Sequence, residues 1–353
     1  MSKSNFLEDF VVGQKITHAI PRTITEGDAS IYISLTGNRQ PLHCAKTFSN
    51  QLGYSKMPLN DFLVFHIAFG RTVQDISLNA IANLGYADVR FVKPVYAGDT
   101  IRSESKVIGI KENSNKSTGI VYVHSVTKNQ DGDEVLSWKR WVMIPKNNKD
   151  AVIKESIIEE LPKIVSIDDI QIPKELNVSN FDFSATGSSR VWDDFNENQI
   201  INHSRGLTLD ETAHTLATHL YQNNAKLHFD AHMMKDTDFG QRLIYGGHII
   251  SLCHSISYEG LENALNIVAI NGGTHSNPTL AGDTIYAKTI VISKDKISGR
   301  DDIGLLRLRL IGIKNLLPSS LDSIYQENTN NKIYNPNVVL DLDYSVIMPK
   351  GKL

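Results

Sequence analysis

At 353 residues and 41% hydrophobic composition, the chain has enough apolar side chains for two domains of ordinary size, each with its own core. Its formal net charge of −3, from 36 basic and 39 acidic residues dispersed along the chain, offers neither a basic stripe for nucleic acid nor an acidic tail. Cys44 and Cys253 alone cannot build a disulfide framework or a cysteine metal site. With no leader-like N-terminus and no apolar run of about 18 residues, we expect a cytoplasmic protein that does not enter a membrane.

In chain order, the first strong element is PLNDFLVFHIAFGRTV, whose apolar spacing predicts a long helix buried along one side. Strand signals follow in TIRSESKVIGI, GIVYVHSVTKNQ and EVLSWKRWVMIP, the last two joined by a turn at Asp131-Gly132 and alternating as half-buried antiparallel strands do. Residues 147–178 carry charges and prolines without a sustained period and read as a linker. After the linker the pattern recurs: a second helix in YGGHIISLCHSISYEGL, then strands in LLRLRLIGI and VVLDLDYSVIMP.

The recurrence is a duplication. AGDTI stands at residues 97–101 and again at 281–285, and aligning Asp99 with Asp283 also matches Pro94 with Pro278 and Ile101 with Ile285. At an offset of 185, Glu26 meets Glu211, Asn38 meets Asn223, Leu42 meets Leu227 and His43 meets His228. Both copies close alike, on WVMIPK and SVIMPK. One long helix followed by antiparallel strands, twice over, predicts an α+β double hot dog: residues 1–146, the linker, and residues 179–353, with the two sheets pairing edge to edge.

The stretch YISLTGNRQPLH resembles the hydratase signature of the MaoC-like, or enoyl-CoA hydratase 2, family, in which an Asp precedes an essential His by five residues. DISLNAIANLGYADVRFVKPVYAGDTI, RLIYGGHIISL and INGGTHSNPTLAGDTIYA are similar to the mesaconyl-CoA hydratases within it, and the similarity spans nearly the whole chain. The resemblance implies reversible hydration of a short branched dicarboxylic enoyl-CoA. It also implies an acyl-CoA thioester as the partner molecule, coenzyme A as part of the substrate, no metal or redox cofactor, and a homodimer. One departure bears on mechanism: Asn38 and Asn223 stand where the family's Asp would be, and a carboxamide orients water or an imidazole but takes no proton.

His228 is the leading acid/base candidate, since an imidazole titrates near neutrality. Its bland alternative is a core histidine satisfied by a backbone carbonyl. Asn223 would position the water or His228, unless it merely makes an Asx turn. The family's oxyanion glycine aligns with Gly247, and Gly246 beside it would let a thioester approach the helix start, against the plainer reading of a tight turn. In the first copy Phe62 replaces that glycine, which assigns the chemistry to the second half and leaves His43 and Asn38 as secondary candidates. Asp230 and Glu211 are candidates for the missing carboxylate, each also readable as a solvated charge. Tyr245 would contact the acyl group and Arg242 the substrate's free carboxylate. His228 and His232 are spaced i, i+4, but no HExxH or acidic cluster completes a metal site, and neither GxGxxG nor GxxxxGK[ST] occurs. Two rivals stay open: a hot-dog thioesterase using Asp61, and an acyl-CoA binding subunit without chemistry.

Overall fold

The computed structural model describes residues 5–153, 156–158, 160–326 and 333–351. Its strands are β1 (Lys15–Thr17), β2 (Arg22–Thr23), β3 (Ala82–Phe91), β4 (Thr100–Glu112), β5 (Thr118–Lys128), β6 (Glu134–Pro145), β7 (Ile200–Thr208), β8 (Ile267–Thr274), β9 (Thr284–Ile297), β10 (Arg300–Lys314) and β11 (Val338–Pro349). They form one antiparallel sheet in the order β1-β4-β5-β6-β3-β8-β11-β10-β9-β7, with β2 pairing β4 outside that path. The two copies meet where β3 pairs β8, Tyr86 opposite Gly273 and Val89 opposite Ile270. Each half thereby buries the edge that the other would expose.

Each half wraps a central helix, Asp61–Thr72 in the first and Gly246–Ile256 in the second. Phe62, Leu63, Phe65, Ile67 and Ala68 are fully buried, so the helix is held by tertiary packing rather than by propensity. Truncating Phe65 there would cost about 3–5 kcal/mol. The helices touch through His66 Nε2 and Ser251 Oγ, 2.9 Å apart and equivalent positions of the repeat. Beyond Thr72 the first helix loosens into a π-helical turn, Val73–Ser77.

The repeated AGDTI has one structural job, performed twice. Gly98 and Gly282 take φ of 100° and 95°, open to glycine and strained for other residues. Asp99 accepts from the Tyr96 N–H and Asp283 from the Leu280 N–H, closing both turns. Ile101 and Ile285 then enter the core with no exposed surface. The C-terminal part of the linker packs on the body: Leu176 and Val178 are buried with Leu42, Phe48 and Leu52, and Val165 N–H donates to Asn271 Oδ1 at 2.9 Å. Among the described residues no helix is long and apolar enough to cross a membrane.

Candidate active site

The short helix Lys226–Phe229 begins where Asn223 Oδ1 accepts the Ala225 N–H at 3.2 Å, an Asx turn that presents His228 one helical step later. His228 Nδ1 donates to the Leu243 carbonyl at 2.8 Å, which fixes the neutral tautomer with Nε2 as the free lone pair. Burial pushes its pKa down to about 4, partly opposed by that hydrogen bond, so the ring is an uncharged base at neutral pH. His43 repeats the arrangement, with Nδ1 bonded to the Pro58 carbonyl at 3.1 Å and its pKa likewise lowered by burial to about 4.

The two halves part company at the start of the central helix. In the second half, a cavity of about 390 Å³ is lined by Asn223, His228, Tyr245 and Gly246 together with Phe69, Tyr86, Arg140 and His275. At the equivalent place in the first half, lined by Asp61, Phe91, Asn266 and Ile267, only about 10 Å³ is left. Asp61 takes the position of Gly246, and its carboxylate accepts the Ile267 N–H at 2.9 Å, 4.0 Å from His43 Nε2. Burial raises its pKa to about 7.

Phe62 takes the position of Gly247, and its N–H is already accepted by Asn60 Oδ1 at 3.0 Å. In the second half Tyr245 replaces that asparagine, and no acceptor for the Gly246 or Gly247 N–H exists among the described residues. A helix start with two open donors suits a developing negative charge. Both glycines are required sterically. A Cβ on Gly246 would lie 2.5–2.7 Å from the His275 ring, and one on Gly247 2.5–2.6 Å from the Tyr245 ring. It is therefore Gly246 that lines the cavity, while Gly247 is covered by Tyr245 and has only its N–H to contribute.

Comparison with known proteins fits this geometry. The family model described as mesaconyl-CoA hydratase matches residues 1–315. The chain belongs to the mesaconyl-CoA hydratase family. It is similar to the β-methylmalyl-CoA dehydratase of Chloroflexus aurantiacus, 48% identical over 98% of this chain and 97% of that one. The mesaconyl-CoA hydratase of Cereibacter sphaeroides is 43% identical over 98% of each. The crystal structure of a MaoC domain dehydratase from Chloroflexus aurantiacus superposes with a TM-score of 0.96 at 47% identity, covering 100% of this chain and 99% of that one. A Mycobacterium tuberculosis protein described as a double hotdog matches over 98% of this chain and 99% of its own at a TM-score of 0.74 and 23% identity, which speaks for the fold alone.

For this mesaconyl-CoA hydratase family member, several expected contacts fall elsewhere. Arg242 does not line the cavity: its guanidinium pairs with Glu211 and donates to Thr215 Oγ1 and the His228 carbonyl, bracing the loop behind the histidine. Glu211 is thereby engaged as well. Asp230 caps the helix Ala231–Met234 by accepting the Met233 N–H at 2.9 Å and does not line the cavity, and His232 is exposed on that helix. Asn38 makes an Asx turn to the Gln40 N–H. Among the described residues no group of three or more His, Cys, Asp or Glu side chains is placed to hold a metal.

Four residues went unnoticed in the sequence. His214 Nε2 accepts the Tyr245 N–H at 3.0 Å and so fixes the residue before the open helix start. Tyr86 Oη and His275 Nε2 share a hydrogen bond of 3.2 Å across the β3–β8 seam. Arg140 is 1% exposed and closes the cavity from the first half. The alternation of EVLSWKRWVMIP was a usable signal for Arg140, because it puts that residue on the inward face with Trp138 and Val142.

Proposed function

We propose that the protein interconverts β-methylmalyl-CoA and mesaconyl-CoA plus water at the second-half cavity. The observation that carries this reading is the pairing, on one open cavity, of an uncharged His228 with a central-helix start whose first two N–H groups have no acceptor among the described residues. The first half, with the same histidine, carries Asp61 in place of Gly246, and its Phe62 N–H is already taken by Asn60.

In the hydration direction, His228 Nε2 takes a proton from water as the water oxygen bonds to the β carbon. The π electrons move onto the thioester oxygen, where the Gly246 and Gly247 N–H groups meet the enolate charge; loss of one such donor typically costs about 3–4 kcal/mol. The proton then passes from the imidazolium to the α carbon, completing addition of H and OH across the double bond. Donors that strengthen only as charge develops favour the transition state over the ground state. Asn223, its Oδ1 held by the Asx turn, offers its amide N–H groups to orient the water, so the carboxylate of the usual signature is not needed to position it. Coenzyme A enters as the carrier half of the substrate.

The test is to add the protein to β-methylmalyl-CoA and follow the ultraviolet absorbance of the conjugated enoyl thioester alongside free thiol. Growth of the enoyl band without thiol is expected; thiol release without the band would make the protein a thioesterase instead.

A further inference from the structure

We propose that Arg140 is the residue that binds the free carboxylate of the substrate and thereby selects dicarboxylic over neutral enoyl-CoA. This rests on the hydratase reading above. Arg140 lies on the inward face of β6 at 1% exposure, yet no carboxylate among the described residues answers its charge. Its polar contacts are Thr72 Oγ1 at 2.9 Å and Ser77 Oγ at 3.3 Å, and its guanidinium lies 4.2 Å from the centre of the Phe69 ring. Nε has no hydrogen-bond acceptor among the described residues, and the Tyr245 side chain lines the same cavity. By contrast, Arg307 and Arg309 in the second-half sheet each grip an aspartate, Asp343 and Asp341, in two-pronged pairs. A buried guanidinium left without a counter-ion is expensive, and the arrangement is sensible if an anion arrives with the ligand.

The repeat sharpens the argument. The closing motifs of the two copies put Tyr344 at the position equivalent to Arg140, and Tyr344 packs on His254, which in turn packs on Phe62 of the first central helix. The arginine therefore stands only where the cavity is open. The π-helical turn Val73–Ser77 brings Ser77 onto the guanidinium, and such turns recur at functional sites because they re-aim side chains. In mesaconyl-CoA the carboxylate sits on the β carbon, so an arginine that holds it also fixes the carbon that water attacks, opposite the thioester end held at the glycines.

Two experiments decide it. Wild-type protein should bind succinyl-CoA at least about 100-fold more tightly than butyryl-CoA, its neutral counterpart of equal carbon number, by calorimetry, since an unanswered buried charge typically costs that much or more. Equal affinities would overturn the proposal, and this comparison needs neither turnover nor a variant. In Arg140→Gln, the ratio of kcat/KM for mesaconyl-CoA to that for crotonyl-CoA should fall by about 100-fold or more, with Arg140→Lys intermediate. An unchanged ratio, even with both activities lowered, would make Arg140 a packing residue and refute the assignment. Wild-type protein that hydrates neither substrate would instead sink the hydratase reading, leaving the binding comparison to judge Arg140.

Discussion

His43 and His228 are the same residue in two copies of one sequence, with the same backbone partner and the same lowered pKa of about 4, so exchanging each for glutamine separates chemistry from architecture. A glutamine amide can still donate to the Pro58 or Leu243 carbonyl, which keeps the structural share of the change small and similar at the two places. What differs is what stands before the ring: His228 lines a cavity of about 390 Å³, whereas the Asp61 carboxylate lies 4.0 Å from His43 Nε2. Proton transfer by a positioned base is typically worth about 100- to 10,000-fold, roughly 3–5 kcal/mol of barrier. His228→Gln should therefore lower kcat/KM for mesaconyl-CoA by about that factor, and His43→Gln by less than about threefold. Initial rates come from the enoyl absorbance, with circular dichroism to verify folding of both variants. The sign of the pH effect follows from burial: the neutral, proton-accepting form of His228 prevails above pKa about 4, so wild-type kcat/KM should be flat through neutrality and fall on acidification toward that value. Equal losses in the two variants, or a His228→Gln protein within tenfold of wild type, would refute the assignment of chemistry to the second half.

Asp61, raised to about 7 by burial, binds a proton in the native state that the unfolded chain releases near pH 4, so its contribution to stability is present below that range and is lost as pH rises through about 7. Asp61→Asn keeps an oxygen for the Ile267 N–H and should stabilise the protein by about 2–4 kcal/mol at pH 8, with the gain shrinking toward pH 4; a gain that ignores pH in denaturant titrations would contradict the shift. Gly246→Ala drives a methyl into the His275 ring at 2.5–2.7 Å, so thermal melts should show a loss of about 1–3 kcal/mol and kcat/KM should drop at least about tenfold, whereas an unaltered melt and rate would mean that the helix start tolerates displacement.

The duplication and the fold were legible because they rest on local signals: AGDTI in two turns, helices with one apolar side, strands that alternate. His228 was legible for the same reason, since the motif carrying it is six residues long. The far wall of the cavity was not. Phe69, Tyr86 and Arg140 come from the first copy and reach the second copy's histidine through the β3–β8 seam and the contact between the two central helices, pairings written in neither copy alone. Nearness in sequence favoured Arg242 as the carboxylate partner, but Glu211, one helix away, takes it. The inward register of Arg140 on β6 was the readable sign that an unusual charge had been buried.

The most direct measurement is to incubate the protein with mesaconyl-CoA in water enriched in oxygen-18 and weigh the products by mass spectrometry. Intact β-methylmalyl-CoA carrying one heavy oxygen in its new hydroxyl group, with no free coenzyme A, is the expected product. Mesaconate bearing the label in its carboxylate, together with free coenzyme A, would contradict it.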